Sequence, residues 1–426
     1  MNIPHEEFAD RRQRLLDSLG DDIYIRLSNY EHQKNSDVHF PFRQDSSFFY
    51  LTAFPEANSL LILDPQSEEK FCLFVLPKDK TKEIWEGFRF GPEGTLESFK
   101  ADASWENNKI AEVLSKKIQG KTVQFTAHKG HPLNSVVEHT IATNATRLTT
   151  DMSNAFISRM RMVKSPWEIE QMRRAAEISS QAHNRLQKKA PQLNCEAQME
   201  AEYLYHCMMQ GVKDQAYSAI VAGGANATCL HYRSNDRNVG PNDLVLIDAG
   251  SSWNNYAADI TRTFPRNGQF NDDQKAVYQA VLDVQKNTIA AVKPGISLKE
   301  LNTLAIELVT ERLIDLKFLK GSKTELVEKK RYLDFMPHSI GHHLGLDVHD
   351  CAGLSRDELG RSENFKLSAG MVITIEPGIY IQMDNERIGK KWLGTGIRIE
   401  DDILVTETGN ENLTISAVKE IADIEG

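Results

Sequence analysis

The sequence predicts an α+β chain in two parts, an α/β region over residues 1–160 and a helix-covered antiparallel sheet over residues 161–426. Three observations predict it. Short apolar runs alternate with charged, helix-like stretches up to about residue 150. At Ser165-Pro166-Trp167-Glu168 the texture changes: a capping serine, a proline at the first helical position and a glutamate at the third open a long helix. Beyond it, two strand pairs, 244–264 and 371–405, each follow helical segments, as in two similar halves packed face to face, although identity between the halves is too weak to count as a repeat. A length of 426 residues suits two or three domains at about 150 each.

Taken in order, residues 6–19 place Phe8, Leu15, Leu16 and Leu19 at helical spacing and stop at Gly20. The apolar runs Phe48–Leu51, Leu60–Leu63 and Phe71–Leu76, separated by Asn58, Asp64-Pro65 and charges, read as paired strands. After the helix that begins at Pro166, with Ile169, Met172, Ala176 and Leu186 on one face, a second helix covers about 195–210 and ends at Gly211. Strand-like segments follow at 217–222 and 244–249, then a helix near 272–292. Ser297-Leu298-Lys299-Glu300 is a second capping box opening another long helix.

Composition removes several function classes. Fifty Lys and Arg against sixty Asp and Glu give a formal charge of −10 with no clustered basic stripe, which argues against nucleic acid and anionic membrane as partners and for a small or peptide substrate. No apolar run approaches the roughly 18 residues that cross a bilayer. The N-terminal segment interleaves Glu6, Glu7 and Asp10 with Arg11, Arg12 and Arg14, unlike a secretory leader. Five scattered cysteines with no C-x-x-C pair fit neither a disulfide framework nor a zinc ribbon, so the expectation is a cytoplasmic protein.

The informative residues are charges in apolar strands. Leu244-Val245-Leu246-Ile247 ends in Asp248, and Asp259 follows eleven residues later at the start of another strand-like run, so a hairpin would join the two acids. Val372-Ile373-Thr374-Ile375 ends in Glu376, and Gly396-Ile397-Arg398-Ile399-Glu400 places Arg398 and Glu400 on one face. Taken singly, each acid reads as a strand-end residue bonded to backbone or arginine. Four together demand cations or protons, because burying an unpaired carboxylate costs several kcal/mol. Nearby, His338, His342, His343 and His349 fall within twelve positions. One histidine added to four acids makes a cage for two divalent ions, and its oxygen-dominated donor set favours manganese, iron or cobalt over a thiolate-type zinc site.

Asp248, Asp259, His342, Glu376 and Glu400, in that order and those contexts, resemble the metal ligands of the pita-bread metallopeptidases: methionine aminopeptidases, prolidases and aminopeptidases P. Val221-Ala222-Gly223-Gly224-Ala225-Asn226-Ala227 leading to His231-Tyr232, with His338 and His349, resembles the proline-handling branch. Phe42–Tyr50 and Glu83–Gly91, the latter containing Trp85, are similar to aminopeptidase P segments. The resemblance implies a creatinase-like N-terminal α/β domain over 1–160, serving access and oligomerisation, and a pita-bread catalytic domain over 161–426 with a curved antiparallel sheet.

It implies release of the N-terminal residue from peptides with proline in second position, with two metal ions, most plainly manganese, and a homo-oligomer, dimer or tetramer. By the same resemblance Glu376 shuttles a proton to the proline nitrogen, and His231 and His349 contact substrate and stabilise the tetrahedral intermediate. His338 is carried over with them. Arg398 either orients Glu400 and other ligands or contacts substrate, and Tyr380 either lines the proline pocket or packs in the core. Asp347 and His343 read as turn and packing residues. Trp85, expected in an exposed loop, is either a packing residue or one that reaches a neighbouring subunit's site. A prolidase confined to dipeptides and a non-catalytic pita-bread binding module are the alternatives.

Overall fold

Leu60–Leu63 and Phe71–Val75 are apolar at every position because the sheet they belong to is covered on both faces. The computed structural model describes residues 4–149, 152–351, 354 and 365–426, and divides into two units, Met1–Arg161 and Met162–Gly426. In the first, six strands run in the order Ala103–Glu106, Phe71–Val75, Leu60–Leu63, Ile23–Leu27, Thr122–Phe125, Arg147–Thr149. The three consecutive pairs from Phe71–Val75 to Thr122–Phe125 are antiparallel, antiparallel and parallel, and both outer pairs are parallel. Ile25, Ile62 and Phe74 on one face pack with Ile110, Leu114, Val137 and Ile141 from two covering helices.

The run Phe48–Leu51 is a helix and not a strand, Ser46–Thr52. Four apolar residues carry too little periodicity to separate the two, and the decision comes from outside the run. Asp45 caps the helix by accepting from the backbone N–H of Phe48 (2.7 Å), while Arg11 and Arg12 of the helix His5–Leu19 donate to the carbonyls of Tyr50 and Leu51 at its C-terminal end. Those arginines are buried, and burial lowers the Arg12 guanidinium to about 10.

The second unit opens as expected. Helix Pro166–Lys189 starts at a capping box, with Ser165 and Glu168 each bonded to the other's backbone N–H, and Ser297 and Glu300 do the same for Leu298–Asp315. Its strands pair antiparallel throughout: Ile220–Gly223, Leu244–Asp248 and Thr261–Pro265 form one sheet, Val372–Ile375, Asp401–Val405 and Asn410–Asn412 a second, and Gly378–Ile381 pairs with Thr395–Arg398. The sheets meet where Glu400 N–H donates to the Thr261 carbonyl (3.0 Å) and Thr263 Oγ1 donates to the Arg398 carbonyl (3.0 Å). That seam fixes the position of the site, because the acids lie at the strand ends on either side of it.

Two glycines permit the approach. A Cβ on Gly250 would lie 1.7 Å from the Ala258 carbonyl oxygen, and one on Gly341 would lie 1.9 Å from that of Thr374. The first lets the Asp248 turn close on Asp259; the second lets His342 sit against the strand leading to Glu376. Beneath the seam, Arg262 donates to the Thr261 and Glu400 carbonyls and to Asp401, which also accepts from Gln285, Asn412, Thr414 and Lys419. Removing one partner of such a buried pair costs about 3–5 kcal/mol, so the platform under Glu400 is costly to disturb.

Candidate metal centre

The structure brings the five predicted ligands into one cluster, with Asp248, Asp259 and Glu400 buried and His342 and Glu376 half-buried. One ligand atom each from Asp259, His342 and Glu400 lies within 4.8 Å of the others. His342 Nε2 is 3.5 Å from Asp259 Oδ2 and 3.8 Å from Glu376 Oε1. Asp248 joins through Tyr217, whose hydroxyl lies 2.6 Å from Asp248 Oδ1 and 2.5 Å from Asp259 Oδ1.

Backbone and neighbouring side chains aim each group. His342 Nδ1 lies 3.0 Å from the His343 carbonyl, so it carries a proton and leaves Nε2 facing the acids. Thr261 Oγ1 donates to Glu400 Oε2 (2.7 Å) and accepts from Arg398 Nε (3.1 Å). Arg398 also contacts Asp248 Oδ2 (2.5 Å) and donates to the Tyr380 hydroxyl (3.0 Å). Its nearest acid is therefore Asp248, and Glu400 is reached through Thr261.

The electrostatics show what the pocket suits. Four carboxylates face one guanidinium. Burial first, then the neighbouring acids, raises Asp248 and lifts Glu400 well above the carboxylate range; burial pushes Glu376 up to about 7. His342 is raised to about 9 by its acidic neighbours, against the opposing effect of burial. Protons therefore gather where the donors point inward, and divalent cations would replace them with better charge balance. The donor set fits such ions.

Around this pocket stand the remaining predicted residues. His338 Nε2 is 3.0 Å from the Tyr380 hydroxyl and its Nδ1 is 4.0 Å from Glu376 Oε2. The His349 ring meets the His342 ring edge-on at 4.4 Å. His231 is exposed and near enough to His338 to help lower its imidazole, which burial chiefly takes to about 4. The Tyr380 ring packs with Ile220, Ala222 and Leu246 while its hydroxyl faces Arg398 and His338. Trp85 lies in the other unit, on the short helix Lys80–Glu86 capped by Asp79 and not in a loop, and is 82% exposed. The correction has a local cause, since Asp79 satisfies the N–H groups of Thr81 and Lys82.

Sequence reasoning missed Tyr217, Thr261 and Asp402. Both Asp402 oxygens accept from the Asp259 backbone N–H (3.3 and 3.2 Å), and burial followed by the Asp259 charge raises its carboxyl well above the usual range. A signal existed for Asp402, since Glu400-Asp401-Asp402 sets three acids in a row between isoleucines. None existed for Tyr217 or Thr261. We expect Tyr217→Phe to weaken divalent-metal affinity about 10–100-fold, the scale for losing a group that orients a ligand. Calorimetric titration of the metal-free protein checks it, and unchanged affinity would show the bridge to be idle.

Residues 170–407 match the metallopeptidase family M24, and residues 8–125 match the aminopeptidase P N-terminal domain. The chain belongs to metallopeptidase family M24. Within this family it is 39% identical to the Xaa-Pro aminopeptidase of Haemophilus influenzae over 425 residues, covering 99% of this chain and 97% of the relative. The Xaa-Pro aminopeptidase of Escherichia coli is 36% identical over 436 residues, with the same coverage. Among solved M24 structures, aminopeptidase P of E. coli with the inhibitor Pro-Leu superposes with a TM-score of 0.93 at 34% identity, covering 100% of this chain and 98% of that one. The family resemblance read from the five ordered residues holds. No helix among the described residues is long and apolar enough to cross a membrane.

Proposed function

We infer that the chain is a metal-dependent Xaa-Pro aminopeptidase, releasing the N-terminal residue from peptides with proline in second position. The observation that carries this reading is the convergence of Asp259, His342 and Glu400 in an M24 chain whose full length is like that of named Xaa-Pro aminopeptidases. Two divalent ions, manganese by the oxygen-rich donor set, would be held by Asp248, Asp259, His342, Glu376 and Glu400. When bound they would supply a water nucleophile at neutral pH and polarise the scissile carbonyl.

The chain's own residues do the rest. As the C–N bond breaks, the leaving nitrogen must gain a proton, and the proline nitrogen, with no N–H of its own and a fixed φ, must receive it in one geometry. Glu376, between His338 and His342, holds that proton at its carboxylate and passes it on. His231 and His349 donate to the carbonyl oxygen as charge develops on it. Arg398 and Tyr380 hold Asp248 and His338 in register. With manganese added, Ala-Pro-Ala should be cleaved between its first two residues while Ala-Ala-Ala is left intact; equal cleavage of both would overturn the reading. Cleavage of Ala-Pro alone would favour the dipeptidase alternative.

Metal loading should depend on pH in a defined direction. Glu376, raised from 4.5 to about 7, gives the metal-free protein stability that is fully present below pH 4.5 and lost as pH rises through 7. His342, raised from 6.5 to about 9, acts the same way at higher pH. Metal displaces these protons, so the rise in Tm on adding manganese should be larger at about pH 8 than at about pH 5.5. An equal rise at both pH values would contradict this.

We also propose a homo-oligomer, dimer or tetramer, in the cytoplasm, the latter supported by five cysteines that are all free thiols. Exposed Ile84, Trp85 and Phe88 on the N-terminal unit support the former, being costly to leave in water. In this reading Trp85 reaches the site mouth of a neighbouring subunit. Trp85→Ala should then alter cleavage of tripeptides and longer substrates more than that of Xaa-Pro dipeptides, with metal content intact. Equal effects on short and long substrates would return Trp85 to a packing role.

A further inference from the structure

We propose that Glu196 is a positioning residue that sets the place of His231, resting on the reading of His231 as a substrate-contacting group. Glu196 opens the helix Glu196–Met209 and is 0% exposed. Its carboxylate is saturated by four donors from one segment. Oε1 accepts from the Gly223 backbone N–H and Asn226 Nδ2 (both 2.8 Å), and Oε2 accepts from the Tyr232 hydroxyl (2.8 Å) and the Arg237 backbone N–H (2.9 Å). The donors flank His231 on both sides in sequence, and Tyr232 is its immediate neighbour.

The rest of this segment is tied down beside the same helix. Glu196 N–H donates to the Arg237 carbonyl (2.9 Å), Asn235 Nδ2 donates to Glu200 Oε2 (3.0 Å) and to the Ala219 carbonyl (2.8 Å), and Val221 N–H donates to Asn235 Oδ1 (3.0 Å). His231 itself is exposed and its position is inherited from these anchors. A fully buried carboxylate is costly unless every lone pair is used. Here both ends of the 223–237 segment use them, so one side chain fixes the span that presents His231 toward His338.

A glutamine at 196 keeps the shape but cannot satisfy the same donors. Asn226 can flip and the Tyr232 hydroxyl can rotate, yet the amide NH2 must face either the Gly223 or the Arg237 backbone N–H, and a main-chain donor cannot turn away. One anchor is lost whichever way the amide points.

The test is a double-mutant cycle on kcat/KM for Ala-Pro-Ala with the manganese-loaded enzyme, using Glu196→Gln, His231→Ala and the pair. Glu196→Gln should lose about tenfold to a hundredfold, the scale of a misplaced contact group, with metal content unchanged. The double variant should be no slower than His231→Ala alone, because the displaced group is already absent. Tyr232→Phe, which removes one donor of four, should show a smaller loss that likewise vanishes in the His231→Ala background, and it carries the test if Glu196→Gln does not fold. Losses that multiply, or loss of metal from Glu196→Gln, would overturn the proposal while leaving His231 in its role. A His231→Ala enzyme with parental kinetics would overturn both assignments.

Discussion

Stripping divalent metal from the protein should abolish peptide cleavage and leave the fold in place, with manganese the best restorer. The expectation comes from charge. Asp248, Asp259, Glu376 and Glu400 share one site with a single guanidinium, and burial among like charges raises the proton affinities of Asp248, Glu376 and Glu400. Bound ions would generate the nucleophile and polarise the carbonyl, and these side chains by themselves offer no equivalent Lewis acid. The fold should not depend on them. The catalytic unit has a core of Ile178, Leu186, Val221, Val245, Ile247 and Phe264, and the Arg262–Asp401 network under the site is satisfied within the chain. Chelation followed by peptide assay and far-ultraviolet circular dichroism reads both halves. Full activity in thoroughly metal-free protein would remove the mechanism.

Glu376→Gln should lower turnover at least about a hundredfold, the usual lower range for an acid–base group. Glu376 lies 4.0 Å from His338 and 3.8 Å from His342, so its carboxylate stands among the groups that would surround the scissile bond. Glutamine keeps the shape and one oxygen donor but cannot carry the proton to the proline nitrogen. Metal content must be measured alongside, since Glu376 is also a proposed ligand. Near-normal turnover in a fully metallated variant would rule out the shuttle.

How much of this was legible in advance depends on whether a residue declares itself locally. The capping boxes at Ser165 and Ser297 did, because their bonds span three residues. So did the acids, since a carboxylate in an isoleucine-rich strand is anomalous on its own strand. The helix Ser46–Thr52 did not, because Arg11 and Arg12 that hold its end lie 39 residues away from the carbonyls they reach. Trp85 was legible as exposed but not as helical, the cap at Asp79 having no long periodic face behind it.

The sequence by itself determined the family and the two-part α+β architecture, and it set out the order of the five proposed ligands, because each rests on residue identity and spacing along one strand or helix. Only the tertiary structure decided which groups aim those ligands. Thr261 reaches Glu400 across 139 residues, Tyr217 bridges Asp248 and Asp259 across 31 and 42, and Glu196 gathers a segment 27 to 41 residues downstream. Threonine, tyrosine and glutamate at such places carry no anomaly in the linear chain. Their roles exist only once buried lone pairs must be satisfied, and which donors satisfy them is set by how the strands and helices pack.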